Sequence, residues 1–259
     1  MFVKMKLFTT IFLLVGTLLI TAQAQEFAMT QEPTCADSLE VCPMVGCSSD
    51  NHHDPNLNIL KNISSINTSI TNRTLSWMKS RKNPENLIVK GERNELINMG
   101  EGQQVRVVGY LLAVKLELGG ESCNCYLRTA ETTDNHLVLV TKKTIEKFPL
   151  PPNANISTIR AVFKQREVES VTAEFAPRTR SNHPNFTFEK TQPLINTTAQ
   201  GALLVRITGQ LMFDSEHFFR HTLRRVNNWE IHPIFRFEYC PKGKTCTAAS
   251  DNNWVDINQ

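Results

Sequence analysis

The residues Asp214-Ser215-Glu216-His217-Phe218-Phe219-Arg220-His221, followed by Arg224-Arg225 and then Trp229-Glu230-Ile231-His232-Pro233, carry the most informative set of side chains in the chain. His217 and His221 are four apart, so one helical turn would place both imidazoles on a single face. Asp214, Glu216, Glu230 and His232 would then supply oxygen and nitrogen donors to a metal ion. Such a centre could activate water for hydrolysis of a phosphodiester. A plainer reading makes Glu230 and His232 hydrogen-bonded decoration on the outward face of a strand, a latch rather than a site. A further reading rests on Arg220, Arg224 and Arg225 interleaved with Phe218, Phe219 and the two histidines. Guanidinium groups to meet phosphates and rings to stack on bases are what single-stranded nucleic-acid binding requires.

These residues need a frame, and residues 100–240 read as strands by parity. In 105–118 the apolar phase is odd before Gly109 and even after it, through Tyr110, Leu112, Val114 and Leu116. A phase switch at a glycine predicts a bulge in one long, bent strand. Gly119-Gly120 turns the chain into a second strand over 123–127, and 136–141 gives a third. A fourth, 203–213, puts Leu203, Val205, Ile207, Leu211 and Phe213 on one face. The fifth, 229–239, puts Trp229, Ile231, Pro233, Phe235, Phe237 and Tyr239 inward, with Glu230, His232, Arg236 and Glu238 outward. Some sixty residues join the third and fourth strands, with room for a helix and an extra strand within 158–172 and 186–199.

This order predicts a mainly β fold: an OB-like five-stranded Greek-key barrel with a helix-bearing connection. A β-sandwich of the same strands is the competing architecture. Residues 25–99 read as an irregular Cys- and Asn-rich extension with a short helix near Leu75 to Lys82, and 241–259 as a polar tail carrying Trp254. In an OB barrel the loop between the fourth and fifth strands borders the ligand groove, which would place the Asp214–His221 segment at a binding face.

Residues 1–24 place Lys4 and Lys6 before an apolar run over 7–20 and end in Ala22-Gln23-Ala24, the pattern of a cleavable secretory leader. The run is shorter than the ~20 residues of a spanning helix, and no later stretch reaches that length. A secreted or periplasmic location is therefore expected, with no transmembrane segment in the mature chain. Of 259 residues, 28 are basic and 25 acidic. Without Lys4 and Lys6 the balance is close to neutral, which excludes a generally basic, nucleic-acid-coating surface.

Export makes disulfides the expected state of the seven cysteines, with one left over. Cys240 and Cys246 bracket a turn-rich loop that could close locally, while Cys35, Cys42 and Cys47 sit in a short segment that needs a staple. A zinc site from that trio with His52 or His53 is the alternative. Six Asn-x-Ser/Thr sequons occur, at Asn62, Asn67, Asn72, Asn155, Asn185 and Asn196. Gly119-Gly120-Glu121-Ser122 lacks a nucleophile-elbow frame, and neither a Walker loop nor a dinucleotide fingerprint occurs.

Taken with Gly102-Gln103-Gln104-Val105-Arg106-Val107-Val108-Gly109-Tyr110 and Val205-Arg206-Ile207-Thr208-Gly209, the motifs Asp214-x-Glu216-His217 and Trp229-Glu230-Ile231-His232-Pro233 resemble an uncharacterised family of exported, mostly bacterial OB-like proteins. The resemblance covers about residues 50–246. It implies a shared barrel and a shared site at Asp214, Glu216, His217, Trp229, Glu230 and His232, and it brings no activity or cofactor with it. The expected function is a binding module of unspecified ligand, contacting it through those residues with Arg220 and Arg224. A metal-dependent hydrolase and a structural exported protein are the alternatives.

Overall fold

The computed structural model describes residues 35–47, 54–65, 69–85, 87, 92–117, 120–218 and 224–258. The expected leader, His52, His53, Asn67, Phe219, Arg220 and His221 lie outside the described residues. In chain order the elements are helix α1 (Pro55–Asn62), strand β1 (Thr71–Thr74), α2 (Leu75–Lys79), α3 (Asn94–Asn98), β2 (Gln104–Leu116), β3 (Asn135–Val140), α4 (Lys142–Lys147), α5 (Ile156–Glu167), β4 (Val171–Phe175), α6 (Pro177–Arg180), α7 (Phe188–Asn196), β5 (Leu203–Phe213), β6 (Trp229–Tyr239) and β7 (Val255–Asp256). No described helix is long and apolar enough to cross a membrane.

Strands β2 to β6 close into a barrel in the order β2-β3-β4-β6-β5, with β5 returning to pair with β2. All ladders in this ring are antiparallel except β4 with β6. Five strands with one parallel closure and helices between the third and fourth make the OB-like Greek-key barrel. β1 adds to β2 in parallel at one edge and β7 to β6 at another. Val105, Val107, Leu139, Ala173, Val205, Ile207 and Phe237 fill the interior. A smaller apolar cluster of Leu112, Val138, Val140, Ile145 and Ala202 lies outside β2 and β3.

Several elements differ from the reading of the sequence. Residues 123–127 are not a strand. Ser122–Asn124 form a single 3-10 turn, and Cys125 and Tyr126 take left-handed backbone with φ of 54° and 58°, a conformation that ends an extended run. The barrel's missing strand is β4. The bulge in β2 falls at Leu112, between Leu111 and Ala113, and not at Gly109. Gly109 is needed for a different reason: a Cβ there would meet Leu75 Cδ2 at 3.0 Å, so the glycine lets α2 pack against the strand.

In β6 the alternation breaks at Pro233, where two irregularities against β5 turn Ile234 into the core and leave Phe235 outside it. Proline brings no amide hydrogen to the ladder, so the strand bulges there. The irregular extension supplies three helices and the edge strand β1. The expected polar tail folds back through β7, and Trp254 is buried with Arg206 over its ring.

The cysteines form three disulfides, Cys35–Cys47, Cys42–Cys125 and Cys240–Cys246, leaving Cys123 as a buried free thiol. Bonded sulfurs in the N-terminal trio exclude the zinc site proposed for it, because a metal ligand must be a thiolate. Cys42–Cys125 ties the extension to the β2–β3 loop. Of the sequons, Asn62 is buried, donating to the carbonyls of Met44 and Cys123 and accepting from Arg178. It has no room for a glycan in this fold.

Candidate functional site

The outer face of β3, β4 and β6 carries a buried cluster of histidines and carboxylates. Period-two alternation sets it up: Leu137, Leu139, Ala173 and Ile231 point into the barrel, so His136, Glu174, Glu230 and His232 point away from it. His136 and Glu174 are direct cross-strand partners, and Ala173 pairs with Ile231 in the parallel ladder. That register brings Glu174 between the two histidines. His136 Nε2 lies 2.9 Å from Glu174 Oε1, and His232 Nδ1 lies 3.1 Å from Glu174 Oε2 and 3.3 Å from Glu230 Oε1. Asp134, just before β3, brings Oδ2 to 3.4 Å from His232 Nε2.

The face is buried because the N-terminal extension and the β2–β3 loop cover it. Asn58 of α1 donates to Ser122 Oγ, Asn62 donates to the Cys123 carbonyl, and Asn124 donates to Asp134 Oδ1 at 2.8 Å. With Cys42–Cys125 these contacts hold the 3-10 turn over the strands. The turn delivers Glu121, whose carboxylate lies 3.6 Å from the buried Lys61 ammonium and accepts from the Cys123 thiol.

The β5–β6 connection closes a second side. Asp214 accepts from the His217 ring at 2.6 Å and from Arg225, which also donates to Glu230 at 2.7 Å. Ser215 beside it is held by Arg93. The Arg93 guanidinium makes a two-armed contact with Glu101 at 2.6 and 2.7 Å and reaches Asp54, Ser215 Oγ and the Phe213 carbonyl. Asp54 caps α1, so one buried arginine ties α1, α3 and the end of β5 to the turn carrying Asp214 and His217.

Charge is unevenly matched here. Glu121, Asp134, Glu174, Glu230 and Asp214 face the two permanent cations Lys61 and Arg225. Burial and the neighbouring Glu121 and Glu174 push the Asp134 carboxyl up to about 8. Burial would raise Glu174 too, but His136 and His232 hold it well below the usual carboxylate range. The imidazoles respond in reverse: burial alone would lower His232, yet Glu174, Glu230 and Asp134 lift it well above its ordinary value. Burial and Glu121 raise the Cys123 thiol, so it is not a reactive thiolate.

A cleft of about 150 Å³ opens beside the cluster. Lys115, His136, Asp214, His217, Arg224 and Arg225 are among its walls. His136 keeps 23% of its side chain exposed and so connects the buried groups to this opening. A larger groove of about 750 Å³ lies between α1, α3 and the β1–β2 edge. Its charged lining comprises Glu92 and the mutually bonded pair Arg93 and Glu101.

The structure thus brings together Asp214, His217, Glu230 and His232 from the expected set and places Arg224 on the cleft wall. The His217 segment is a turn and not the helix imagined for a His217/His221 pair. Glu216 lies close enough to Lys61 to raise its pKa, although burial works against that. Trp229 is a core residue, packed edge-on against Phe213 and donating to the Lys82 carbonyl, and is not among the residues lining this cleft. Phe218 also packs on the core. Among the described residues lining the cleft, none offers an aromatic ring other than imidazole; Phe219, Arg220 and His221 of the expected stacking set lie outside the described residues.

Asp134, His136, Glu174 and Glu121 were missed. Asp134-x-His136 carries the period-two spacing that places both on one strand face, and this could have flagged them. Comparison with family models, curated proteins and solved structures yields no match for this chain.

Proposed function

We propose that the protein is an exported binding module that holds a small anionic group, a phosphate or carboxylate, in the cleft on the outer face of its OB-like barrel. The observation that carries this reading is placement. The histidine/carboxylate cluster sits where strands β3 and β4 meet the β2–β3 and β5–β6 loops, the region OB folds use for ligands, and it opens to solvent through His136. Lys115 and Arg224 both lean on Glu167 at the rim, and Arg224 remains 69% exposed, leaving cationic groups available to an anion. Three disulfides agree with an oxidising compartment outside the cytosol.

The test is calorimetric titration of inorganic phosphate into the disulfide-intact protein, with and without Mn²⁺. Saturable binding that weakens about tenfold in Arg224→Ala and in His217→Ala supports the reading, since one lost charged hydrogen bond is worth ~1.5–3 kcal/mol. Absence of saturable binding under both conditions, or unchanged binding in both variants, overturns it.

A second reading is metal-assisted phosphodiester hydrolysis. It is favoured by the Arg225 guanidinium, which bridges Asp214 and Glu230 beside the cluster, where a transition-state phosphoryl charge would need it. Turnover of bis(4-nitrophenyl) phosphate that requires added Zn²⁺ or Mn²⁺ and is lost in His232→Gln would establish it. No turnover with either ion rejects it.

A further inference from the structure

We propose that Asp134, Glu174 and His232 form a binding centre for one divalent transition-metal cation beneath the cleft. The inference rests on reading this face as the binding site and names the ion through which an anionic ligand would be held there.

Glu174 and His232 come from β4 and β6 and Asp134 from the residue just before β3, and one donor atom of each lies within 4.8 Å of the others. All three are buried, Asp134 and His232 completely. Buried polar atoms in folded proteins almost always find hydrogen-bond partners. Here Asp134 Oδ2, Glu174 Oε2 and His232 Nε2 make no well-formed hydrogen bond among the described residues and face only one another's side chains, with Asp134 Oδ2 3.4 Å from His232 Nε2 and Glu174 Oε2 3.1 Å from His232 Nδ1. Leaving such groups unsatisfied costs ~1–3 kcal/mol each, a penalty that a shared cation would remove.

The surrounding groups orient the donors as second-sphere partners do. Asn124 donates to Asp134 Oδ1, which leaves Oδ2 for the ion. His232 Nδ1 lies between Glu174 Oε2 at 3.1 Å and Glu230 Oε1 at 3.3 Å, so Glu230 can take the Nδ1 proton and leave Nε2, 3.4 Å from Asp134 Oδ2, as the ligand nitrogen. Glu174 also belongs to a second close trio with Glu121 and His136, so further donors stand at the edge facing the cleft. Imidazole among carboxylates favours zinc- or manganese-type ions over magnesium or calcium, which prefer all-oxygen shells.

The experiment uses the mature protein with its disulfides intact, stripped by chelator and titrated with Zn²⁺ and Mn²⁺ by calorimetry. One equivalent should bind, and the melting temperature should rise with free metal. Asp134→Asn and His232→Gln should each weaken binding on the order of 100-fold, while the exposed Glu146→Gln leaves it unchanged. Should a ligand variant fail to fold, Mn²⁺ bound to the wild-type protein serves instead, since its electron spin-echo spectrum should show nitrogen coupling from imidazole. No stoichiometric binding, no nitrogen coupling, or folded variants that bind as tightly as wild type would overturn the proposal. Phosphate binding without metal binding would remove the metal centre and leave the binding module standing; metal without phosphate would do the reverse.

Discussion

His136 and Glu174 stand directly opposite each other in the β3–β4 ladder, with imidazole Nε2 2.9 Å from carboxylate Oε1. Opposite charges at such a position stabilise the pair. Here the pair also joins the buried cluster to the solvent cleft, because Glu174 faces His232 on its other side.

That relationship makes stability depend on alkaline pH. Burial alone would lower the His136 pKa, but Glu174 and Glu117 raise it to about 9. A folded value above the unfolded one, about 6.5, means the contribution is complete below pH ~6.5 and is lost as pH rises through about 9. Urea unfolding of metal-free protein should therefore show stability falling across that window, and His136→Gln should flatten the fall. A wild-type profile no steeper than the variant's contradicts the assignment.

Arg93→Met should destabilise the protein by about 3–5 kcal/mol, because it strands the buried carboxylates of Asp54 and Glu101. The same substitution frees Ser215 and the Phe213 carbonyl, so phosphate affinity should fall along with stability. Chemical denaturation measures the first effect and calorimetry the second. A loss below 1 kcal/mol would show that the clamp is not what fixes the turn.

Gly209→Ala probes the irregular β5–β6 pairing. A Cβ at that position would sit 2.5 Å from Ile231 Cγ2 and 2.5 Å from the Pro233 carbonyl oxygen. Backbone cannot move aside as a flexible side chain can, and overpacking of this kind costs roughly 1–3 kcal/mol or more. His232 lies within the displaced segment, so metal affinity should drop as well. A variant with the wild-type melting temperature would contradict this packing.

Replacing Cys42 and Cys125 together by serine opens a bridge spanning 83 positions. The expected loss is about 2–5 kcal/mol. Because the bridge anchors the turn carrying Glu121 and Asn124, the folded double variant should also bind Zn²⁺ and Mn²⁺ more weakly. The Cys240→Ser/Cys246→Ser pair, whose loop is short, should leave metal affinity unchanged.

The barrel was legible because β2, β5 and β6 are long and their apolar parity survives most of their length. Glu230 and His232 were legible as a pair for the same reason, sharing the face opposite Trp229 and Ile231. β4 was hidden by its five residues, too short for a periodic signal beside α5. With β4 went Glu174, the carboxylate that links both histidines. The segment 123–127 misled because its cysteines and Tyr126 look strand-like, whereas a disulfide to Cys42 decides its shape. Burial of the outward face was not legible at all: it comes from α1 and the 3-10 turn, long-range contacts that leave no local pattern. The bulge at Leu112 lay three residues from the glycine that suggested it, since close approach of Leu75 and a bulge both call for small or irregular positions.

The most direct test of the binding face is amide chemical-shift mapping of the isotope-labelled, disulfide-intact protein titrated with inorganic phosphate in the presence of Mg²⁺-free buffer and diamagnetic Zn²⁺. The account predicts saturable shifts concentrated at Lys115, His136, Ser170, His217, Arg224 and Arg225, around the cleft that opens beside Asp134, Glu174 and His232. Shifts confined to Ile59, Ile97 and Gln103 in the larger groove, or no saturable shifts, would contradict it.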